Sequence, residues 1–417
     1  MKHTSITMHR GWTRRQVLIT SSALAGSLLA GCQPGGPEPR QPVTTATAVM
    51  ATTAPSTPTL LLEEAPTEDT IDLRRKLAQM VLVGFRGLSL DENNPIVIDI
   101  HNRNIGGVVL FSYDVALQQW NRNIESSAQV AALNASLQDL AATPLIIAVD
   151  QEGGRVARLN ERFGFPPTLS AQELGERNDP AFTYEAAAQM ARTLKAVGVN
   201  HTFAPVVDLN TNPDNPIIGA IGRSFSADPS VVIEQAAAFI RAHRDHGVTT
   251  TLKHFPGHGS SRDDSHLGFV EVTDVWQPVE LEPYRQLIAR NLVDAVMTAH
   301  VFNAQLDPDS VATLSQPIIT GILREELGFD GVVFSDDMQM GAIADNYGFE
   351  DAVVRTVEAG VDVIAIANNL VFDPEIATRI IELLAAAVAD GRLSEARIDA
   401  SCRRIMALKA KWMQRQV

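Results

Sequence analysis

The chain has 417 residues and a formal net charge of −15, with 49 acidic against 34 basic side chains. So acidic a protein is a poor partner for nucleic acid or anionic lipid, and we expect it to bind neither. Two cysteines are too few for a disulfide framework. The length exceeds that of one ordinary domain, and segments with separate roles are predicted from the N-terminus onward.

Residues 1–31 have the pattern of an export signal. Arg14 and Arg15 lead into an apolar run that is too short to cross a bilayer comfortably and ends in Leu29-Ala30-Gly31-Cys32. The paired arginines resemble a twin-arginine signal, and the four final residues resemble a bacterial lipobox. The resemblance implies cleavage before Cys32 and acylation of its sulfur, which predicts an extracytoplasmic lipoprotein of the cell envelope, attached to the membrane by its lipid anchor only. A plain secretory signal with an incidental cysteine is the alternative.

Residues 32–66 are predicted to form a linker rich in Pro, Thr and Ala. The segment has too little apolar bulk for a core, and we expect a tether between the membrane and a folded domain. Its prolines are Pro34, Pro37, Pro39, Pro42, Pro55, Pro58 and Pro66. Residues 67–417 then make one folded domain, in which Cys402 is predicted to be a small buried residue of a helix.

The folded domain alternates short, β-branched apolar runs with longer amphipathic segments. Continuous apolar runs are typical of strands that are buried on both faces. The predicted strands are Met80–Gly84, Gly107–Phe111, Leu145–Val149, His201–Ala204, Val248–Leu252, Ala295–Ala299, Gly331–Phe334 and Val361–Ile366. The predicted helices are 126–141, 180–197, 229–246, 280–291, 317–327, 349–359 and 374–390. Three helix starts are predicted at Asp-Pro pairs, which are Asp179-Pro180, Asp228-Pro229 and Asp373-Pro374.

Eight strands in near-complete alternation with helices predict a (β/α)8 barrel of the TIM type. A doubly wound open sheet is the alternative, but no Gly-x-Gly-x-x-Gly follows any predicted strand. Six strands end in polar or charged residues, and such barrels keep their chemistry at these C-terminal strand ends. Asp208 alone can be read as a structural cap. Together the six ends predict one concave polar site built from 150–158, Asp208, Lys253 and His254, His300, Asp336 and Asp337, and Asn368 and Asn369.

A metal site is one possible use of these side chains. His and Asp at strand ends bind zinc in many proteins, but Lys253 disfavours a dication among His254, His258, Asp264, His266 and His300. The His-x-His and His-Glu-x-x-His spacings are also absent. A serine nucleophile is disfavoured because no Gly-x-Ser-x-Gly occurs. We therefore predict neither a metal nor another cofactor.

Acid–base chemistry with a carboxylate nucleophile suits the same residues better. Asp264 and His266 are two positions apart, so that Asp264 can orient the imidazole as a proton donor. Asp336, a carboxylate at a strand end, is a candidate nucleophile. Fixed cationic donors for hydroxyls or a carboxylate come from Arg158, Arg223 and Lys253.

Four segments carry a resemblance to a known family. They are Asp150–Arg158 (DQEGGRVAR), Ile221–Phe225 (IGRSF), Lys253–His266 (KHFPGHGSSRDDSH) and Gly328–Met338 (GFDGVVFSDDM). In sequence and order they resemble the NagZ-type β-N-acetylglucosaminidase branch of glycoside hydrolase family 3. The resemblance runs from about residue 72 to about residue 410, and it implies that 67–417 is the catalytic barrel of that family.

The resemblance implies a retaining glycosidase with a covalent intermediate. It places the nucleophile at Asp336 and the acid/base at His266, with Asp264 orienting the imidazole. We expect His258 to support its loop, and strand alternation to turn the rival nucleophile Asp337 away from the pocket. The substrate-binding residues implied by the resemblance are Asp150, Arg158, Arg223, Lys253 and His254.

The Asp-Ser-His segment of this branch implies a substrate. It points to an exo-acting enzyme that removes terminal non-reducing β-linked N-acetylglucosamine from peptidoglycan fragments or chitooligosaccharides. A small carbohydrate is then the expected partner of a monomeric protein. A β-glucosidase of the same family, phosphorolysis in place of hydrolysis, and an inactive sugar-binding lipoprotein are alternatives. Retention of Asp264, His266 and Asp336 argues against the last, because a binding protein needs no acid/base pair.

Overall fold

The structure, a computed structural model, describes residues 73–413. The predicted export signal, the linker and Cys32 lie outside the described residues. Within the described part of the chain, no helix combines the length and the apolar composition that crossing a membrane requires.

Eight parallel strands form a barrel. They are β1 (Val81–Gly84), β2 (Gly107–Leu110), β3 (Ile146–Val149), β4 (His201–Thr202), β5 (Thr249–Phe255), β6 (Ala295–Thr298), β7 (Val332–Phe334) and β8 (Ile364–Ile366). From β1 to β7 each strand pairs with the next, and β8 pairs with β1. A parallel bridge between Phe334 and Val363, next to a 3.0 Å hydrogen bond from the Ser335 N–H to the Val363 carbonyl, closes the ring. The predicted (β/α)8 barrel is therefore confirmed.

A packed layer crosses the barrel interior at His201. The ring nitrogens of this buried histidine lie 2.8 and 2.7 Å from the hydroxyls of Thr249 and Thr251. Burial lowers the pKa of His201 to about 3, so the ring is neutral. Phe203 and Phe334 pack against it with centroid distances of 5.4 and 5.2 Å. These contacts make a rigid floor below the C-terminal strand ends.

The described helices surround the barrel. They are α1 (Leu73–Gln79), α2 (Pro95–Ile98), α3 (Ser127–Leu140), α4 (Ala171–Arg177), α5 (Pro180–Ala196), α6 (Pro229–Asp245), α7 (Glu282–Ala289), α8 (Gly341–Ala344), α9 (Phe349–Ala359), α10 (Ile376–Ala389) and α11 (Glu395–Met413). Asp99–Arg103 and Pro317–Glu326 are π-helical, so the helix predicted over 317–327 is present with a wider turn.

Two of the three helix starts predicted at Asp-Pro pairs are confirmed. Asp179 and Asp228 accept hydrogen bonds from first-turn N–H groups of α5 and α6. The prediction at Asp373 is wrong, because its carboxylate accepts the Glu375 N–H at 2.9 Å in a turn and α10 begins at Ile376. An Asx turn uses the same side-chain oxygen as an N-cap, so the dipeptide alone does not separate the two.

Short strand pairs elaborate the loops at the C-terminal face. Tyr113–Asp114 pairs with Gln119–Trp120 after β2, and Gln151–Gly153 pairs with Val156–Ala157 after β3. Further round the barrel, the loops after β5 and β6 are joined by parallel pairing of Val270–Glu271 with Val301–Phe302. These pairs give the rim of the barrel a regular backbone.

Strand β5 extends three residues further than predicted. Lys253 and His254 were expected on the loop after the strand, but they lie within it. A bridge between Val206 and Lys253, with a 2.9 Å hydrogen bond from the Val207 N–H to the Lys253 carbonyl, continues the ladder. Both side chains are therefore held by strand backbone, which positions them more firmly than a loop would.

Helix α11 carries two buried residues of different character. Cys402 is 3% exposed and its thiol lies 3.4 Å from the Lys76 carbonyl oxygen, which confirms the predicted buried position. Lys409 is fully buried, and its ammonium nitrogen lies 2.6 Å from Gln79 Oε1. Burial lowers the pKa of Lys409 to about 7.

Candidate active site

A pocket of about 210 Å³ opens at the C-terminal ends of the barrel strands. Seven of the eight residues predicted for catalysis and substrate binding line it, and the eighth, Asp264, contacts one of them. The seven are Asp150, Arg158, Arg223, Lys253, His254, His266 and Asp336. A larger groove of about 330 Å³ beside α5 contains none of the eight, so the candidate site is the smaller pocket.

Opposite charges form a connected network on one wall of the pocket. Lys253 places its ammonium 2.8 Å from Asp150 and 2.7 Å from Glu152. Arg223 donates two hydrogen bonds of 2.7 and 2.8 Å to Glu152, and Arg158 lies 3.2 Å from Asp150. Because three cations face two carboxylates, the wall presents a net positive charge to a ligand.

Burial opposes ionisation of both carboxyl groups in this network, but the cations outweigh it. Lys253 and Arg158 hold the pKa of Asp150 below its ordinary value, and Arg223 and Lys253 do the same for Glu152. In return, the two carboxylates raise the pKa of Lys253 against the effect of burial. Glu152 lies in the predicted segment 150–158, but no role of its own was predicted for it.

Asp208 positions His254 from behind the pocket wall. Its fully buried carboxylate accepts the backbone N–H groups of His254 and His258 and lies 2.7 Å from His254 Nδ1. The contact places a proton on Nδ1 and leaves Nε2, 3.3 Å from Arg223, as an acceptor. From the sequence alone, Asp208 could be either a structural cap or a site residue. In the structure it supports His254, which lines the pocket.

His266 lies at the pocket rim on the loop that follows β5. Asp264 accepts the backbone N–H of His266 at 2.8 Å and lies 2.8 Å from its Nδ1. The proton is thereby placed on Nδ1, and Nε2 is available for proton transfer. N–H groups of Gly341 and Ala342 donate to the carbonyls of His266 and Ser265 at 3.3 and 3.2 Å, which attaches the loop to α8. The His266 side chain is 52% exposed, so water and a ligand can both reach it.

Asp336 follows β7 and has the environment of an ionised carboxylate. Burial opposes its ionisation, but the neighbouring His300, His254 and His266 hold its pKa below the ordinary value. The N–H of Asp337 donates to Asp336 Oδ1 at 2.8 Å. At neutral pH Asp336 is therefore charged and fixed at the pocket.

Asp337 differs from its neighbour in the direction of its pKa shift and in its contacts. Burial raises its pKa to about 6, and its Oδ1 accepts the N–H groups of Ala367 and Gln339 at 2.9 and 3.2 Å. The expectation that strand alternation turns Asp337 away is wrong, because regular strand geometry ends at Phe334 and both residues line the pocket. The surroundings of the two carboxyl groups, and not strand alternation, distinguish Asp336 from Asp337.

His258 is buried and does not line the pocket. Its Nδ1 and Nε2 lie 2.8 and 3.1 Å from the hydroxyls of Ser261 and Ser265, which is the loop-supporting position that we expected. Burial lowers its pKa to about 4, so the ring is neutral. Over residues 73–413, the histidine, cysteine and carboxylate side chains form no group of three or more that could hold a metal ion.

The polar residues after β8 connect loops instead of lining the pocket. Asn369 accepts the Val115 N–H at 2.9 Å and donates to the Tyr113 carbonyl at 3.1 Å. Asn368 exchanges hydrogen bonds of 3.0 and 2.8 Å with the backbone of Asp373. This strand end therefore stabilises the rim between the loops after β2 and β8.

Comparison with known protein families identifies the family of this chain. The family profile described as "Glycosyl hydrolase family 3 N terminal domain" matches residues 72–408. The chain belongs to glycoside hydrolase family 3. The family predicted from four short segments of the sequence is thereby confirmed.

Relatives of this family 3 chain are named beta-hexosaminidases, and a solved neighbour is named a β-N-acetylglucosaminidase. Beta-hexosaminidase A of Pseudoalteromonas piscicida is 35% identical over 340 residues, covering 76% of this chain and 55% of that protein. Beta-hexosaminidase LpqI of Mycobacterium tuberculosis is 33% identical over 395 residues, covering 93% and 95%. The solved family 3 β-N-acetylglucosaminidase from Paenibacillus sp. str. FPU-7 superposes with a TM-score of 0.75 at 39% identity, covering 82% of this chain and 63% of that one. The chain thus spans little more than half of the first relative.

Proposed function

We propose that the protein is a retaining exo-glycosidase that removes terminal non-reducing β-linked N-acetylglucosamine. The observation that carries the proposal is the presence, in one pocket, of an ionised carboxylate at Asp336 and of the His266–Asp264 pair. The names of the two relatives and of the solved neighbour support the choice of sugar.

Two displacements at the anomeric carbon make up the proposed reaction. In the first, Asp336 attacks that carbon while His266 donates its Nε2 proton to the leaving oxygen, so a glycosyl ester forms and the aglycone departs. In the second, His266 takes a proton from water, and the water oxygen displaces Asp336 to release the sugar with its configuration retained. Asp264 stabilises the doubly protonated ring that starts the first step and is restored by the second.

Asp336 is assigned as nucleophile in preference to Asp337 on the basis of its surroundings. A nucleophilic carboxylate must be ionised, and the three histidines around Asp336 favour that state. Asp337 has a pKa raised to about 6, and one of its oxygens is occupied by two backbone N–H groups. Its contacts suit a role in holding the loop after β7.

The positive wall of the pocket would bind the sugar. Asp150 accepts hydrogen bonds from hydroxyl groups, and the cations donate to hydroxyl and N-acetyl oxygens. His254, whose Nδ1 proton is held by Asp208, presents Nε2 to the sugar as an acceptor. Hydrogen bonds to charged groups stabilise a complex by about 1.5–3 kcal/mol each. Glu152 sets the directions of two of the cations through its contacts with Arg223 and Lys253. The proposed binding residues are Asp150, Arg158, Arg223, Lys253 and His254.

The sequence before the barrel supports a location outside the cytoplasm. We assign residues 1–31 to a twin-arginine export signal, Cys32 to lipid attachment and 32–66 to a linker that precedes the catalytic domain 67–417. In the cell envelope, peptidoglycan fragments or chitooligosaccharides supply the proposed terminal sugar.

The test compares turnover of an aryl β-N-acetylglucosaminide with that of an aryl β-glucoside. Asp336→Asn removes the nucleophilic carboxylate and should lower kcat/KM on the order of 10⁴-fold. Asp337→Asn is the matched control, because its amide oxygen can still accept the N–H groups of Ala367 and Gln339, and it should lose far less activity.

The outcomes distinguish the alternatives. Strong preference for the acetylated sugar, lost in Asp336→Asn, supports the proposal. Preference for the glucoside would indicate a β-glucosidase, and formation of a sugar 1-phosphate in phosphate buffer would indicate phosphorolysis. Turnover of neither sugar by a folded wild-type protein would contradict the enzyme and favour a sugar-binding lipoprotein.

A further inference from the structure

His300 is a buried histidine that the proposed chemistry leaves without a role. It lies two residues after β6, it is fully buried, and it does not line the pocket. It is nevertheless close to the nucleophile. Burial opposes ionisation of Asp336, and among the groups that favour ionisation His300 has the largest effect.

Both ring nitrogens of His300 have specific partners. Nε2 lies 3.0 Å from the carbonyl oxygen of Asp337, and because a carbonyl oxygen only accepts, Nε2 carries a proton. Nδ1 lies 2.7 Å from the hydroxyl of Thr313. The ring is thus held between the backbone beside the nucleophile and a threonine on the opposite side.

Thr313 has one hydroxyl proton for three neighbours. Its oxygen lies 2.7 Å from His300 Nδ1, 3.0 Å from the Ala299 carbonyl and 2.8 Å from the Thr298 hydroxyl. When the proton points to Nδ1 the ring is neutral, a state that burial favours because it lowers the pKa of His300. When the proton points to the carbonyl or to Thr298, the ring donates from Nδ1 and is a cation. In both states Nε2–H donates to Asp337, so the positive end of the ring dipole always lies towards the end of β7.

We propose that His300 is a positioning residue for the nucleophile, which fixes the backbone at Asp337 and favours the ionised carboxylate of Asp336 without contacting the substrate. Three observations carry the inference. The first is the hydrogen bond from His300 Nε2 to the Asp337 carbonyl, and the second is the contact of His300 Nδ1 with the Thr313 hydroxyl. The third is that the ring is completely buried beside the site. The inference rests on the proposed function, since it requires Asp336 to be the nucleophile.

Two substitutions at His300 separate its contributions. His300→Gln keeps an N–H donor in place of Nε2 but has no ring that could be charged, and His300→Leu removes both. We expect His300→Gln to lower kcat about 10- to 100-fold, the range seen when a supporting partner of a reactive group is removed, with KM changed less than about threefold. The acidic limb of the kcat/KM pH profile should move to higher pH, because Asp336 would then be harder to ionise. His300→Leu should lose more activity.

His243→Gln is the matched control. His243 is also fully buried, bonds the Phe239 carbonyl through Nδ1 at 2.9 Å, and lies on α6 away from the pocket lining. Its substitution should affect thermal stability but leave the acidic limb of the pH profile in place. A purely structural role for His300 would give the same result for both histidines.

The test separates this inference from the proposed function. If wild-type protein hydrolyses the substrate, Asp336→Asn does not, and His300→Gln keeps the wild-type kcat and acidic limb, the inference is overturned while the function stands. If the His300 variants do not fold, Thr313→Val decides, because it keeps the ring and removes its partner. A shift of the acidic limb in Thr313→Val supports the inference, and an unchanged profile overturns it. An inactive wild-type protein removes the proposed function and this inference with it.

Discussion

Lys409 shows how burial sets the charge of a single residue. Its ammonium bonds Gln79 in the interior of the protein, and burial lowers its pKa from the ordinary 10.5 to about 7. Between these two pH values the folded protein holds the proton less firmly than the unfolded chain does. Stability is therefore highest above the unfolded pKa and is lost as the pH falls from about 10.5 to about 7.

We predict that Lys409→Met is more stable than wild-type protein at pH 7. The gain should be about 1–3 kcal/mol, because a charge-free side chain fills the space while Gln79 loses one donor. Urea unfolding at several pH values measures it, and the gain should shrink towards pH 10. Lys411→Met is the control, since Lys411 pairs with Asp294 at 3.0 Å and its loss should not stabilise the protein. A Lys409→Met protein less stable than wild type at pH 7 would contradict the lowered pKa.

The eight residues given roles in catalysis and binding were predictable from the sequence, whereas the long-range partners of Glu152 and Asp208 were not. Polar side chains at strand ends, together with four family segments, identified seven lining residues and Asp264. Glu152 binds Arg223 across 71 positions, and Asp208 binds His254 across 46. A single Asp or Glu after a strand has the same local sequence pattern whether it caps a turn or forms a long-range ion pair. Its partner is determined by barrel closure, so the local sequence does not reveal it.

Among the elements, the loop after β5 depends on a glycine near its start. Gly257 has a φ of +126°, which L side chains rarely adopt. A Cβ at this position would lie 2.7 Å from Glu280 Oε2 and 2.8 Å from Glu280 Cβ. The loop then continues to Asp264 and His266, so its first turn determines where the proposed acid/base lies.

We predict that Gly257→Ala destabilises the protein and lowers kcat/KM more than tenfold, because the displaced loop carries His266. Gly328→Ala is the matched control. Gly328 also has a positive φ, of +71°, but a Cβ there has no neighbour within 4 Å. It should cost about 1 kcal/mol of stability and leave kcat/KM near wild type. Thermal melting and steady-state kinetics measure both, and equal losses of activity would contradict the account.

Most barrel strands were predictable because they are buried on both faces and are largely apolar, whereas β4 and β5 consist mainly of polar residues. The ends of the strands were harder to predict from the sequence, because backbone pairing continues wherever a neighbouring strand has a free partner. Strand β5 extends to Phe255 through the bridge between Val206 and Lys253, which its local sequence does not indicate. The π-helical turns of Pro317–Glu326 have the apolar periodicity of an ordinary helix, so the pattern predicted the element but not its type.

For the whole molecule, the proposed location in the cell envelope rests on lipid attachment at Cys32. We predict that cells incorporate labelled fatty acid into the wild-type chain and that Cys32→Ser abolishes the labelling. Cys402→Ser is the control, because Cys402 is buried in α11 and its substitution should leave the labelling unchanged. Labelling that persists in Cys32→Ser, or is absent from the wild-type chain, would contradict the proposed anchor.

The central claim for the whole molecule is a glycosyl ester on Asp336, and trapping that ester tests it most directly. A fluorinated N-acetylglucosaminide designed to form the ester faster than water removes it would be incubated with wild-type protein. Peptide mass spectrometry would then locate the added sugar. We expect one sugar per chain, attached to Asp336 and absent from Asp336→Asn. A sugar on Asp337, or turnover with no covalent adduct, would contradict it.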